Sequence, residues 1–156
     1  MIEYSLIKSL HILSSFLLFG TGLGSAFYKW MADRSGDIHT IATTNRHVVL
    51  ADWLFTTPTV VLQPLTGIWL AKILGIPLTT PWIAWSLALY LLAGACWLPV
   101  VALQIRMRRM AEHARDTDQP LPAAYWRDAK RWFWLGWPAF IAILIVVFLM
   151  VLKPYF

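Results

Sequence analysis

The sequence contains very few charged residues. Only 13% of its 156 residues are Asp, Glu, Lys or Arg, about half the share that is usual in a soluble domain, whereas 59% are apolar. A soluble domain of this size needs more charged side chains to cover its surface, so that class is excluded. The high apolar content also excludes a disordered chain. The composition therefore indicates an integral membrane protein.

Cysteine and glycine are scarce as well, since the chain has one Cys, Cys96, and 8 Gly. These counts exclude a fold held together by disulfides and a collagen-like repeat. The net charge is +5, and the basic run Arg106-Met-Arg108-Arg109 adjoins a long apolar stretch. A basic run in that position is typical of the surface of an anionic membrane. We therefore expect a lipid bilayer, and no nucleic acid, as the partner.

Four long stretches contain no charged residue: 9–28, 53–71, 73–105 and 132–152. A helix needs about 20 apolar residues to cross the hydrocarbon layer, and it satisfies its own backbone hydrogen bonds there. The sequence therefore predicts an all-α fold, a membrane four-helix bundle that forms a single domain over residues 1–156. We place its helices at about 4–30, 47–74, 82–110 and 131–152.

The basic residues are distributed unevenly between the two ends of the predicted bundle. Ten of the 13 lie at or between the first and second spans or the third and fourth spans. Because Lys and Arg concentrate on the cytoplasmic side, both termini and the loop near residues 75–81 should face outward. The expected location is the bacterial inner membrane. Most of the Trp residues lie near predicted helix ends, but Trp53 and Trp97 lie deeper. We expect these two to pack between helices or against a bound ring.

Polar side chains recur on the second helix at steps of three or four residues: Asp52, Thr56, Thr59, Gln63 and Thr66. This spacing puts them on one face, which we expect to point into the bundle because it would be costly against lipid. Pro58 and Pro64 interrupt the same helix and free backbone carbonyls that need other partners. Two interpretations stay open: the stripe joins helices, or it lines a cavity or cofactor crevice.

The first predicted helix has a similar face, formed by His11, Ser14, Leu18, Thr21 and Ser25. On the same helix, Gly20 and Gly24 have the GxxxG spacing that allows a neighbouring helix to approach closely. His11 is the most informative residue because it is the one His inside a charge-free stretch. It is a hydrogen-bonded core residue, an axial haem ligand or a proton carrier.

A second polar group is predicted near the cytoplasmic side of the membrane. His47 and Asp52 lie at the start of the second helix, and Gln104 and Arg106 reach a similar depth on the third. A buried carboxylate there needs a hydrogen-bond donor or a cation. This cluster is interpreted as structural, as a proton relay or as a ligand site.

Several motifs resemble known membrane families. The segments RHxxLADWxFTTPxxxLQPLTG, from Arg46, and WLPVVxLQxRM, from Trp97, resemble a bacterial family of small membrane proteins known as a domain of unknown function. Lys8-Ser-Leu-His11, Thr57-Pro58 and Gly67-Ile-Trp69 more distantly resemble HemJ- and CopD-type four-helix proteins.

The HemJ resemblance implies haem b, bound through the His that matches His11, and oxidation of protoporphyrinogen. Those proteins also carry a Lys near the start of their third helix, where this chain has Ser86. This departure at Ser86 removes the basis for a second axial ligand and for the oxidase activity, and it leaves a five-coordinate haem on His11. The CopD resemblance implies copper handling, which usually needs a cluster of Met, His or Cys ligands that the sequence does not show.

From these observations we expect a small cytochrome-b-like protein that binds haem b and acts in membrane redox chemistry or electron transfer. If it is an enzyme, it would be a haem-dependent oxidoreductase. His11 would be the axial ligand and metal-binding residue. The expected cofactor crevice comprises Ser14, Thr59, Gln63, Thr66, Trp69, Trp85 and Ser86, with Trp69 or Trp85 as a cap. The alternatives are an accessory or assembly subunit of a larger membrane complex, and a small transporter with Asp52 and the prolines at its site. A homo-oligomer is a further possibility for the partners.

Overall fold

A computed structural model describes residues 1–154 of the protein as an all-helical bundle. Five α-helices are formed: α1 (Ile2–Ser35), α2 (Ile38–Ala51), α3 (Thr57–Ile73), α4 (Pro81–Asp116) and α5 (Ala123–Leu152). A π-helical segment, Asp52–Thr56, joins α2 to α3, so that Ile38–Ile73 is one continuous rod. Within the described residues, four helical rods are long and apolar enough to cross a membrane. The predicted four-helix membrane architecture is confirmed.

The helices extend further at one end of the bundle than the charge-free stretches predict. We call this the basic end; it contains the turn at Gly36 and the connection at residues 117–122. Gly36 has a φ of 69°, which glycine adopts readily, and the Asp37 carboxylate accepts a hydrogen bond from the Thr40 backbone N–H. This tight corner lets α1 and α2 continue as helices past the apolar region, so the expected long loop between them is absent from residues 1–154.

In the π-helical segment, which begins at Asp52, one turn of the second rod contains an extra residue and is wider than an α-helical turn. The backbone N–H and the hydroxyl of Thr57 both donate to the Asp52 carbonyl oxygen, the hydroxyl at 2.9 Å. Pro58 follows directly and has no N–H to donate, so a wider turn before it accommodates the missing hydrogen bond. Such bulges are frequent at functional sites, and this one contains the single acidic residue of the predicted polar stripe.

Packing is uneven along the bundle. The main core lies toward the basic end, where Ile41, Met107, Ala111 and Tyr125 are fully buried. Large apolar side chains along α1 and α5 are exposed, as expected for helices that face lipid.

The predicted close approach at Gly20 and Gly24 is wrong, because a Cβ atom at either position would meet no atom within 4 Å. The close approach of α1 and α3 occurs instead at Gly67, where a Cβ would lie 3.2 Å from Cε1 of His11. The GxxxG spacing alone did not show which side of α1 faces a neighbour.

Candidate functional site

A hydrogen-bonded network around His11 joins α1 to α3. Nδ1 of His11 lies 2.7 Å from the Thr66 hydroxyl oxygen. The Gln63 amide donates to the His11 carbonyl at 2.8 Å and to the Ser14 hydroxyl at 2.9 Å. Four of the residues predicted to surround a cofactor, His11, Ser14, Gln63 and Thr66, are therefore in contact with one another.

The hydroxyl of Thr66 defines the tautomer of His11. This hydroxyl donates to the Leu62 carbonyl at 2.6 Å, as Thr side chains in helices commonly do, so it accepts a hydrogen bond from Nδ1–H. The lone pair of Nε2 is then free, and residues 1–154 provide no hydrogen bond to it. A metal-binding His is held in the same way, with its other nitrogen donating to a neighbouring acceptor.

The remaining residues of the predicted crevice lie elsewhere. Thr59 is buried, but its hydroxyl donates to the Phe55 carbonyl of its own helix. Ser86 is buried and donates to the Trp82 carbonyl. Trp69 and Trp85 are exposed, and the Trp69 indole donates to Glu3 at 3.0 Å. The structure does not bury either indole over His11, so the predicted cap is not formed in the described residues.

A second site is a cavity of about 300 Å³ between α1, α3, α4 and α5. We call it the interior cavity. Its walls are mostly apolar and aromatic, and include Phe19, Tyr90, Trp97, Trp132 and Phe140. The polar stripe faces inward, since Asp52 and Thr56, two of its members, line this cavity and the other three are also buried. The prediction that the stripe points into the bundle is confirmed.

Five buried polar atoms that form no hydrogen bond of ordinary geometry among residues 1–154 belong to side chains that line the interior cavity. They are Asp52 Oδ2, Thr56 Oγ1, Gln104 Oε1, Trp97 Nε1 and Trp132 Nε1. The Thr56 and Gln104 side chains lie beside the Asp52 carboxyl group. Asp52, Thr56 and Gln104 are only 6%, 4% and 5% exposed. Native structures pair about 90% or more of such atoms, so this concentration identifies the interior cavity as the candidate binding site.

Only half of the cluster predicted near the cytoplasmic side forms. Asp52 and Gln104 both line the interior cavity, but His47 is exposed. Arg106 is directed away and pairs with Asp128 at 3.0 Å. The prediction was wrong for His47 and Arg106 because equal depth along two helices does not imply the same face.

Two other expectations concern the interior of the bundle. Trp97 lies between helices as expected, whereas the indole of Trp53 is exposed. The carbonyl of Val60, freed by Pro64, accepts a hydrogen bond from the Tyr90 hydroxyl at 2.8 Å. A tyrosine on α4 is thus the other partner that this freed carbonyl needs.

A buried ionic network near the basic end was missed at the level of sequence. Lys29 is 0% exposed and donates to Asp33 at 2.8 Å and to the Tyr125 hydroxyl at 3.1 Å. The Tyr125 hydroxyl donates to the Asp33 carboxylate and accepts a hydrogen bond from the Asn45 amide at 2.8 Å. The spacing of Lys29 and Asp33 was a signal for their pairing. Nothing in the pattern indicated Tyr125, which lies about ninety residues further along the chain.

No group of three or more His, Cys, Asp or Glu side chains able to hold a metal ion is found among residues 1–154. Met150, near the end of α5, packs against the apolar cluster of Ala71, Trp82 and Ile83.

Comparisons with known proteins agree with the membrane architecture. No curated protein and no solved structure matches the chain. A similarity to HemJ- or CopD-type proteins is not shown. One family model matches residues 5–154, and its description is "Predicted integral membrane protein (DUF2269)". The protein is therefore a member of the DUF2269 family of integral membrane proteins.

Proposed function

We propose that the protein binds the ring of a lipid-soluble quinone or quinol in the interior cavity and takes part in membrane redox chemistry. The observation that carries this proposal is the set of five unpartnered polar atoms in an otherwise apolar cavity. A buried polar atom without a partner costs about 1–3 kcal/mol. A ligand that satisfies several of these atoms would recover that free energy on binding.

The types of polar atom in the cavity favour a ligand that both accepts and donates hydrogen bonds. The indole N–H groups of Trp97 and Trp132 can donate to a ring carbonyl, whereas the Asp52 carboxylate and Gln104 Oε1 can accept from a ring hydroxyl. A quinone presents carbonyl oxygens and its reduced form presents hydroxyls. The same site can therefore bind both forms of one ring.

The shape and size of the cavity support a single aromatic ring. Aromatic side chains line it on several sides, and such rings pack well against one another. Its volume of about 300 Å³ lies at the small end of ligand pockets, which span about 300–1,000 Å³. One substituted ring therefore fits this cavity.

Two glycine positions on α1 provide a direct test. Gly22 lines the cavity and Gly20 does not, yet a Cβ at either one meets no atom within 4 Å. We would measure binding of a short-chain ubiquinone analogue to the detergent-purified protein by calorimetry. Gly22→Leu and the cavity-lining Gly94→Leu should weaken binding at least tenfold, because the new side chains occupy the cavity. Gly20→Leu should leave the affinity unchanged.

The polar contacts are tested with Asp52→Asn and Thr56→Val. Each should weaken binding of the reduced form more than that of the oxidised form. Thr56→Val removes a hydroxyl acceptor, and Asp52→Asn replaces one of two charged acceptor oxygens with an NH2 donor. Affinities of both forms that are unchanged in Gly94→Leu and Asp52→Asn would refute binding in this cavity. Tight binding of a lipophilic amine in place of either quinone form would also refute the proposed ligand class.

A second candidate function is haem b binding through His11. The observation that favours it is the free Nε2 of an imidazole whose Nδ1 is held by Thr66. The residues around His11 fit an axial ligand, and His11 lines neither the interior cavity nor the groove between α4 and α5. Haem would supply one-electron chemistry, and Thr66 would orient the imidazole.

The haem proposal is tested by the absorption spectrum of the purified protein, oxidised and then reduced with dithionite. A Soret band that is lost in His11→Ala and shifted in Thr66→Val is the expected result. The exposed His113→Ala is the matched control. No Soret band after expression with sufficient haem, or a band that survives His11→Ala, would refute this ligand. The quinone proposal does not depend on either result.

A further inference from the structure

A groove of about 820 Å³ lies between α4 and α5 near the basic end. Four cationic side chains line it: Arg106, Arg127, Lys130 and Arg131. Among residues 1–154, the carboxylate that pairs with these cations is that of Asp128, which is 3.0 Å from Arg106 and 3.9 Å from Arg131. Four cations thus face one carboxylate, and the groove keeps an excess of positive charge.

Two of the four cations are available to a ligand. Arg127 and Lys130 are exposed and form no ion pair with any residue from 1 to 154. They are three residues apart on α5, so their side chains lie on neighbouring parts of one helix face. An anionic group in the groove could contact both without competing with Asp128.

The rest of the groove is apolar and extends from the basic residues toward the membrane interior. Ala102 and Leu103 line it on α4, and Trp134 and Leu135 line it on α5. Trp134 is exposed there, and indole rings favour the level of lipid headgroups. The site therefore presents cations at one end and an apolar channel at the other.

We propose that this groove binds one anionic phospholipid of the bilayer, with its phosphate at Arg127 and Lys130 and an acyl chain along Ala102, Leu103 and Trp134. A phospholipid has the same arrangement of negative headgroup and apolar chain along its length. Basic sites between membrane helices bind anionic headgroups in this manner. A soluble phosphate would use the cations alone and would leave the apolar part uncovered.

The charge component is tested by native mass spectrometry of the protein titrated with phosphatidylglycerol or phosphatidylcholine. The wild-type protein should retain one phosphatidylglycerol with at least tenfold preference over phosphatidylcholine. Arg127→Gln/Lys130→Gln should weaken phosphatidylglycerol binding about tenfold or more. The control, Arg46→Gln/Arg109→Gln, removes the same charge from exposed positions outside the groove and should change binding less than about threefold.

The apolar component is tested by filling the groove without changing its charge. Ala102→Phe should weaken phosphatidylglycerol binding several-fold. Ala95 is also exposed, lies seven residues earlier on the same helix and lines no part of the groove, so Ala95→Phe is the matched control and should have no effect. Competition by inorganic phosphate alone should not displace the lipid.

Three results would overturn the proposal. Equal losses in the two charge variants would mean that the basic end attracts lipid without a defined site. Full binding in Ala102→Phe would mean that no acyl chain occupies the groove. A dimer that excludes lipid and separates in Ala102→Phe would mean that a second copy of the chain covers this face.

Discussion

Tyr125 joins three helices through one hydroxyl group. It contacts Lys29 and Asp33 on α1 and Asn45 on α2, and it is itself fully buried. Its ring also lies 5.0 Å from the Lys29 ammonium, measured to the ring centroid. The charge of Lys29 is thus surrounded by a carboxylate, a hydroxyl and an aromatic face, which offset the cost of its burial.

Replacing Tyr125 with Phe keeps the ring and removes the hydroxyl. Lys29, Asp33 and Asn45 each lose a partner, so the free energy of unfolding should fall by about 1–3 kcal/mol. The measurement is thermal or denaturant unfolding in detergent. Tyr28→Phe is the control, because the Tyr28 side chain is exposed. Equal stability of the two variants would show that the network contributes nothing measurable.

Gly67 is the residue at which α1 and α3 come closest. A Cβ there would lie 3.2 Å from His11 Cε1, so Gly67→Val should displace the imidazole from Thr66. The expected loss of stability is about 1–3 kcal/mol, typical of overpacking. Gly20→Val puts the same side chain into open space on α1 and should not destabilise. If both variants are equally stable, the contact at Gly67 is not tight.

At the scale of the element, the second rod determines where the polar groups point. Its α2 part packs on α4 and its α3 part packs on α1, and the π-helical segment lies between them. A π-helical turn contains one residue more than an α-helical turn, so it takes up an extra residue while the faces of the two parts stay in register. Asp52 and Thr56 are at the two ends of this segment and both line the cavity.

Deleting Leu54 should convert the π-helical segment to regular α-helix. Because the π-helical segment takes up one extra residue, the α2 and α3 parts of the rod should keep about their present faces. Asp52 and Thr56, at the two ends of the segment, would move relative to each other and to the cavity. We expect a lower unfolding temperature and loss of quinone binding. Leu54→Ala, at the same exposed site, is the control and should retain both. Normal binding after the deletion would show that the bulge is not needed.

For the whole molecule, the even number of rods brings the N-terminal end of α1 and the end of α5 to the same side of the bundle. The connections at residues 36–37 and 117–122 lie at the basic end, and the turn at residues 74–80 lies at the other. The excess of Lys and Arg predicts that the basic end is cytoplasmic. Lys29 does not add to this excess as a free charge, because it is buried against Asp33.

Orientation can be measured by labelling single cysteines in a Cys96→Ser background. An impermeant maleimide should label Thr79→Cys in intact spheroplasts, because residues 74–80 are expected to face outward. Gln119→Cys should be labelled only after lysis. Both chosen positions are exposed. The reverse pattern would contradict the orientation that the basic residues predict.

The spans and the inward stripe could be predicted because each depends on local pattern: the absence of charge over about 20 residues, and polar residues at helical spacing. The helix extensions at residues 111–116 and 123–130 could not be predicted, because a polar helix and a polar loop have similar amino-acid compositions. The contacts of Asp52 with the cavity, and of Lys29 with Tyr125, depend on which helix faces meet. A single sequence contains no signal for that pairing.

The hydrogen bond from Tyr90 to the Val60 carbonyl has a mechanical consequence. Val60 belongs to the turn that Pro64 interrupts, and Tyr90 also lines the interior cavity. A ligand that accepts the hydrogen bond of the Tyr90 hydroxyl would leave the Val60 carbonyl without a partner. The helix at Pro64 would then be less rigid. Beyond Pro64, the same helix contains Thr66 and Gly67, the residues that hold His11. Ligand binding in the cavity would therefore change the position of the His11 imidazole, which contacts α3 about two turns from Val60.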